Sequence, residues 1–308
     1  MCGTAYFTAY RPAFGRVPYN EVLIPMFRSI ILVAVCSCAL WAQSSVLEQA
    51  RTAYQRTDYE TAFQLLSTIE ERTPEVHALL GKVQYGQADF KGASDSFERA
   101  VDAEPENADY RNWLGKAFGR RAENSSFLTA PMYARRCRSE FERAVELDPK
   151  NLDAAGNLFD YYLEAPSLLG GGMNKAAGLA VKIRTLSEAQ YHYSQAQMAR
   201  KRKDWEEAEE HLRTAVEIEP NDPGRLADLA SFLASQERYE ESDRVFEKAM
   251  ALRPEAPSVL YEKAVALAEA DRNLDEAQQL LEQYLKAELT PDDPPRYEAG
   301  RLLSRIRK

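Results

Sequence analysis

One motif recurs along the chain, and it constrains the fold more than any other feature. In the typical copy an aromatic residue is followed three residues later by a small one, and four residues further on by a large apolar one. A recurrence at this spacing predicts a stacked array of supersecondary units. The small residues are Ala62, Ala93, Cys137, Ala176, Ala208, Ser242 and Ala277, at successive gaps of 31, 44, 39, 32, 34 and 35 residues.

A second series of small residues precedes the first, and it indicates how each unit folds. We expect two antiparallel helices, A and B, that cross where only a small side chain fits, while large residues fill the gaps between crossings. Proline cannot continue a helix, so the prolines that close the copies are expected to end helix B. The second series is Ala50, Gly81, Gly115, Ala196, Ala230 and Ala264; the fillers are Leu66, Phe97, Phe141, Leu212, Phe246 and Leu281; the prolines are Pro74, Pro105, Pro149, Pro220 and Pro254.

This pattern resembles the tetratricopeptide repeat, whose period is about 34 residues. The resemblance covers nearly everything after Gln43. It implies an all-α fold, a right-handed superhelical solenoid of about seven helix pairs over residues 43–308. The last helix, Arg296 to Ile306, is expected to cap the array by covering its final apolar face. The layout, with a long third unit followed by APSLLGGGMNKA, is similar to that of exported bacterial proteins of this family.

Two units are longer than the others, and both insertions fall at A-to-B turns. The extra residues lie within 122–133 in unit three and 165–175 in unit four. Neighbouring A-to-B turns share one edge of a solenoid, so we expect the two to form one rim, which is often the binding side of a repeat protein. A tolerated surface loop is the alternative, since long loops destabilise little. Gly170-Gly171-Gly172 with Lys175 lacks the strand context and the GK[ST] ending of a phosphate loop, and is read as a flexible turn.

Composition and motifs argue against several classes of function. The formal net charge is −9, which disfavours a general nucleic-acid binder. The sequence lacks the metalloprotease, hydrolase, dithiol and kinase motifs, and its three histidines are dispersed, so we expect no enzymatic activity, no metal and no cofactor. Cys137 occupies a small-residue position, and we therefore expect it to be a buried packing residue.

The N-terminal segment is typical of an export signal. Arg28 precedes the uncharged apolar stretch SIILVAVCSCALWA, which is too short for a stable membrane span. Residues 26–42 are therefore predicted to be a signal peptide. Translation is predicted to start at Met26, which makes residues 1–25 an upstream extension. The alternatives are an uncleaved anchor and a lipoprotein attached through Cys38. We expect the product in the periplasm or cell envelope.

Alignment of the units predicts a partner-binding groove lined by the A helices. Its cations are opposed only by Asp160, Glu164 and Glu269, so the hypothesis is a non-enzymatic scaffold whose groove or rim binds an acidic protein segment or peptide. The alternative is a membrane-anchored lipoprotein with a structural or assembly role. The family's members that hold chaperone tails have lysine and asparagine where this chain has Asn112 and Lys116, which disfavours that ligand. The predicted groove residues are Arg51, Tyr54, Lys82, Tyr85, Asn112, Lys116, Arg120, Tyr193, Gln197, Arg200 and Lys201.

Overall fold

The computed structural model describes residues 45–254 and 256–307, and this part of the chain contains helices and turns but no strand. The predicted signal peptide, the upstream extension and Cys38 lie outside the described residues. Residues 47–308 form one compact unit. The all-α class, with seven helix pairs and a final single helix, is confirmed.

The fifteen α-helices of the described residues follow the predicted alternation of A and B. Odd-numbered helices are the A helices of their units and even-numbered helices the B helices, with α15 as the cap. In chain order they are α1 (45–55), α2 (Tyr59–Ser67), α3 (Pro74–Gly86), α4 (Phe90–Ala103), α5 (Ala108–Glu123), α6 (Ala130–Leu147), α7 (Leu152–Glu164), α8 (Met173–Arg184), α9 (Glu188–Arg202), α10 (Trp205–Ile218), α11 (Pro223–Ser235), α12 (Tyr239–Leu252), α13 (Pro257–Glu269), α14 (Leu274–Lys286) and α15 (Arg296–Ile306).

The small residues mark the helix crossings, as the repeat pattern predicts. A Cβ atom on Gly81 would lie 2.9 Å from the ring of Phe97, which is wholly buried. On Gly115 it would lie 2.5 Å from the ring of Phe141. Side chains larger than hydrogen at these two positions would therefore displace the core of their unit.

Unit six uses serine at its crossing, and the hydroxyl is satisfied internally. Ser242 is buried and its Oγ donates a hydrogen bond of 2.8 Å to the carbonyl of Ala230, the small residue on the facing helix. A buried hydroxyl is destabilising unless it is paired in this way.

Prolines end four of the B helices, because α4, α6, α10 and α12 each stop two residues before one. In unit one the prediction is wrong. Helix α2 already ends at Ser67, and Pro74 is the first residue of α3. Proline suits that position because its fixed φ is helical and the first backbone N–H of a helix has no partner within the helix. Thr73 caps the same end, with its hydroxyl accepting from the amide of Val76.

Five of the A-to-B turns share one geometry. Each contains a residue in the left-handed region, with φ between 49° and 63°, followed by an amide that donates back five residues to the A helix. This 6-to-1 bond closes the helix end. The pattern is seen in units one, two, five, six and seven, at Thr57, Ala88, Lys203, Glu237 and Asp271.

The two longer units depart from this turn. In unit three α5 and α6 both extend into the insertion, which leaves residues 124–129 as the turn. In unit four a short 3-10 helix, Ser167–Leu169, follows α7, and the chain then passes through Gly170 and Gly172 at positive φ.

Helix α15 covers the end of the array. Its apolar residues Leu302 and Leu303 pack in one cluster with Leu260 and Leu281 of unit seven. Burying this face against the preceding helix pair removes the exposed end that a repeat array would otherwise present.

Candidate partner-binding groove

Two of the predicted groove residues lie in the protein interior. Tyr54 is buried in unit one. Asn112 is 1% exposed; its amide donates to Asp153 Oδ2 at 2.6 Å and its carbonyl oxygen accepts from Asn157 at 3.1 Å. The hydrogen bonds of Asn112 join α5 to α7. The burial of Tyr54 and Asn112 corrects the expectation that these two residues face a partner.

The cations of the first two units are neutralised within the chain. Arg51 forms ion pairs with Glu48 and with Glu75 of the next A helix. Lys82 Nζ lies 3.1 Å from Asp109 Oδ2, again one unit further on. The sequence reasoning counted only carboxylates at the deep positions of helices A and so missed these partners, which come from the first turn of the neighbouring A helix.

Trp113 organises the aromatic part of the groove. The ammonium of Lys116 lies 4.2 Å from its ring centroid and that of Lys82 lies 5.1 Å away. Tyr85 contacts the ring edge-on at 5.6 Å. A cation over an indole face is stabilised by the ring's negative charge distribution, so these side chains are oriented before any partner arrives.

Arg120 contacts the far end of the chain. Its Nη2 lies 2.9 Å from Glu298 Oε1 and donates to the hydroxyl of Tyr297 at 3.0 Å. Arg296, also on α15, donates to the hydroxyl of Thr57 in the first A-to-B turn. We call these contacts between α15 and units one to three the latch. Arg120 therefore pairs with a carboxylate of its own chain.

The predicted residues of unit five lie at the groove but differ in their pairing. Lys201 Nζ forms an ion pair of 2.6 Å with Glu164 of unit four. Arg200 has no carboxylate within ion-pair distance among the described residues; its closest polar contact is Gln197 Oε1 at 3.5 Å. Tyr193 lies with Arg200 in the wall of the same cavity, and burial raises the pKa of the tyrosine hydroxyl.

An apolar cavity of about 590 Å³ lies between units three and four, and we call it the apolar cavity. Both long A-to-B turns contribute to its wall, through Phe127 and Pro131 from unit three and Pro166 and Leu169 from unit four. The two insertions thus adjoin one cavity. The charged residues in its described wall are Lys116, Arg120, Glu123, Asp160 and Glu164.

Three large apolar side chains stand exposed on these turns, and we call them the rim. Phe127, Leu128 and Leu168 are 83%, 76% and 84% exposed. Their exposed fractions are larger than those of every other exposed large apolar residue in the described part of the chain. Exposed apolar groups gathered beside a cavity are typical of an interaction site.

The glycine run is held more closely than a flexible turn. The amide of Gly172 donates to Tyr162 O at 2.7 Å, and that of Gly171 to Pro166 O at 3.2 Å. A Cβ on Gly171 would lie 1.9 Å from the carbonyl oxygen of Ala165. Gly171 is required because the backbone passes too close for a side chain, and Gly170 and Gly172 because both adopt a positive φ.

The structure reveals carboxylates that the sequence reasoning passed over. Asp228 on α11 and Glu262 on α13 face a second cavity of about 680 Å³, which we call the polar cavity. Each lies two residues before the small residue of its A helix, Ala230 or Ala264. Reading that repeat position across all units would have found them.

The groove's carboxylates are also perturbed. Desolvation and the neighbouring Glu164 raise the pKa of Asp160 to about 6. Desolvation, reinforced by Glu262 and Asp222 against the opposing charge of Arg225, raises the pKa of Asp228 to about 7. The pKa of Glu262 is also raised, first by burial and then by the charge of Glu269. Such groups are commoner at functional sites than elsewhere.

The expectation about Cys137 is confirmed. The thiol is buried, and desolvation followed by the charge of Glu123 raises its pKa to about 12. A nucleophilic cysteine requires the opposite shift.

Two histidines that are far apart in sequence meet between α9 and α10. His192 Nδ1 and His211 Nδ1 are 2.9 Å apart. Burial and the neighbouring imidazole lower the pKa of His192. Within the described residues no three potential ligands converge on a metal position. None of the helices between residues 45 and 307 combines the length and the apolar character that crossing a bilayer requires.

Family models of the tetratricopeptide repeat match residues 189–222 in one form and residues 78–122 and 228–294 in another. Among curated proteins, the chain is 25% identical over 226 residues to superkiller complex protein 3 of Mus musculus and 32% identical over 98 residues to the protein O-mannosyl-transferase Tmtc2 of Drosophila melanogaster. These alignments cover 62% and 30% of this chain but only 14% and 10% of the relatives' own lengths.

Solved structures share the fold. A tetratricopeptide repeat protein from Parabacteroides merdae superposes with a TM-score of 0.57 at 12% identity, over 87% of this chain and 100% of the other. TTC0263 from Thermus thermophilus superposes with a TM-score of 0.52 at 18% identity, over 62% and 98%. Identities this low speak for the architecture alone. Repeat spacing, crossing residues, family models and solved folds agree, and the chain belongs to the tetratricopeptide-repeat family.

Proposed function

We propose that this chain is a non-catalytic scaffold that holds a segment of a partner protein in its concave groove, against the rim. Tetratricopeptide repeats serve in general as protein-interaction scaffolds, and the finer statement rests on one observation. The apolar cavity and the rim lie together at the two longest A-to-B turns. A partner would gain stability by covering the rim, since each exposed large side chain contributes about 1.5–3 kcal/mol when fully buried.

Site-specific photo-crosslinking in the source organism tests this proposal. A photoreactive residue placed at Leu168 should yield a discrete covalent adduct with one partner. The same residue at Val181 of α8, which is also apolar and 62% exposed but lies away from the rim, serves as control. The change Phe127→Asp on the opposite turn should abolish the adduct formed at Leu168 while leaving the fold intact, because Phe127 is exposed.

Adducts of equal yield at Leu168 and Val181 would contradict the proposal, and so would an adduct that survives Phe127→Asp. Either result would mean that the rim is an ordinary surface.

We propose further that the scaffold works in the cell envelope after export. The support is the charged start, short apolar stretch and polar exit of residues 26–42. Mass spectrometry of the mature chain should find a new N-terminus near Gln43. A lipid on Cys38 would instead support the lipoprotein alternative, and an intact N-terminus on a cytoplasmic protein would contradict export.

A further inference from the structure

The groove's charge divides between its two halves in a way that the sequence did not suggest. In units one to four the groove cations Arg51, Lys82 and Arg120 are each paired with a carboxylate of the same chain, whereas Lys116 lies over the ring of Trp113. In units six and seven the A-helix carboxylates that face the groove have weak ion pairing or none. Glu262 and Glu269 make no ion pair with any described residue.

Asp228 is only weakly compensated. The closest cation, Arg225 Nη1, lies 3.8 Å from Asp228 Oδ2. The guanidinium of Arg225 is already engaged, since its Nε donates to Glu219 Oε2 at 2.9 Å and its Nη2 donates to Gln190 Oε1 at 2.9 Å. Asp228 therefore has only a weak counter-charge when it is ionised.

These carboxylates line the polar cavity. Asp228, Glu237, Glu262 and Glu269 face it, and Arg200 is the one cation among the described residues of its wall. Tyr193 and Tyr239 form aromatic walls. A cavity of this size with a surplus of negative charge strongly attracts cations, because the surrounding protein focuses the field.

A second observation points to an absent polar partner. The Oγ of Ser231 belongs to a residue that lines the polar cavity; it is shielded from solvent and has no hydrogen-bond partner among the described residues. A shielded hydroxyl without a partner destabilises the free protein. A ligand that donates or accepts a hydrogen bond here would remove that penalty.

We propose that the polar cavity binds a segment of the partner that carries lysine or arginine side chains. This rests on the proposed function, which places a partner segment in the groove, and it specifies that segment as basic. The carboxylates of Asp228, Glu262 and Glu269 pair with the cationic side chains, while Tyr193 and Tyr239 pack against their methylene stems. A basic partner replaces the acidic one expected from the sequence. Most of the cations that suggested an acidic partner form ion pairs within the chain.

A metal ion is not the better occupant. The described residues contain no group of three or more histidine, cysteine, aspartate or glutamate side chains placed to ligate one ion. Carboxylates spread over α11 and α13 suit cations spaced along a peptide instead.

Fluorescence anisotropy with two synthetic peptides tests the proposal. Both have the same length and apolar content, and one carries lysines where the other carries glutamates. The wild-type chain should bind the lysine peptide and not the glutamate peptide. The triple variant Asp228→Asn, Glu262→Gln, Glu269→Gln should bind the lysine peptide at least about tenfold more weakly. Unfolding is not expected to interfere, because the three amides keep the size of the acids they replace and burial disfavours the charges of Asp228 and Glu262.

The control is a second triple variant with the same change in net charge. Glu206, Glu217 and Glu247 are exposed on the B helices α10 and α12, and their change to glutamine should weaken binding less than about threefold. The lysine peptide should also bind more weakly at about pH 6 than at about pH 8, since Asp228 gains its proton in that range.

Equal loss of affinity in both triple variants would overturn the proposal, as would tighter binding of the glutamate peptide or no binding of the lysine peptide. If an adduct that depends on the rim still forms at Leu168 while the lysine peptide fails to bind, the proposed function stands and only this inference falls. If no such adduct forms, the proposed function falls with it.

Discussion

Asp228 and Lys201 lie on neighbouring A helices, yet only the lysine has a firm counter-charge. Lys201 pairs with Glu164 at 2.6 Å, whereas Asp228 has Arg225 at 3.8 Å. The difference appears in the acid's ionisation, because desolvation raises the pKa of Asp228 to about 7, far above the value of about 3.9 for a free aspartate. Residue type alone therefore did not decide which charges remain available to a partner.

The raised pKa of Asp228 predicts a dependence of stability on pH. In the folded state Asp228 keeps its proton up to about pH 7, while the unfolded chain releases it near its ordinary value of about 4. Its contribution to stability is therefore fully present below about pH 4 and is lost as the pH rises to about 7. Asp228→Asn, which cannot ionise, should melt roughly 1–3 °C higher than wild type at about pH 8 and equally at about pH 4.

Thermal melts of both proteins across this pH range provide the measurement. Glu217→Gln, an exposed change on α10, should leave the difference from wild type flat with pH. A melting temperature of Asp228→Asn at or below that of wild type at pH 8 would show that Asp228 is adequately compensated.

At the scale of the element, turn geometry separates regular units from modified ones. Five A-to-B turns place a non-glycine residue in the left-handed region and close with the same backbone bond. None of their five sequences contains the glycine that usually marks such a position. The A-to-B turn of unit four does contain three glycines, yet it is a crowded turn in which Gly171 passes against Ala165. Glycine content therefore misidentifies these turns, because the tertiary packing of the helix pair imposes their geometry.

The insertion in unit three lengthens its two helices more than the turn between them. The spacing of small residues located about ten extra residues between its helices. Most of them lengthen α5 and α6 to 16 and 18 residues. Helix extension satisfies backbone groups within the helix, which a long irregular loop would leave to water.

At the scale of the whole molecule, the latch connects the two ends of the repeat array. Helix α15 covers unit seven with its apolar face and reaches units one to three through Arg296, Tyr297 and Glu298. The groove's predicted preference for a carboxylate is thus partly satisfied within the chain, by Glu298 on Arg120. Because the latch consists of a few side-chain contacts, whose individual net contribution is about 1 kcal/mol, it should open readily.

A charge-reversal experiment tests the latch. Glu298→Arg and Arg120→Glu should each separate the ends of the array, because each leaves two like charges facing one another. The double variant should restore the closed distance. Spin labels at the exposed positions Arg56 and Ser304, measured by double electron–electron resonance, report that distance.

Glu282→Gln serves as control, since Glu282 pairs with Arg307 within the C-terminal cap and does not reach the first units. Single variants with the wild-type distance distribution would show that the latch does not hold the ends together. Failure of the double variant to restore it would show that the effect of the single variants is not the loss of this ion pair.

The sequence by itself determined the repeat, the pairing of helices, the crossings and the edge that carries the insertions. These follow from the period of small and large residues, which each unit expresses through its own neighbours. Only the tertiary structure decided which groove charges remain free, because the partners of Lys82, Arg120 and Lys201 lie 27, 178 and 37 residues away. It likewise brought His192 to His211 and closed the latch. Ion pairing depends on distances between units, and a repeat period carries no information about those distances.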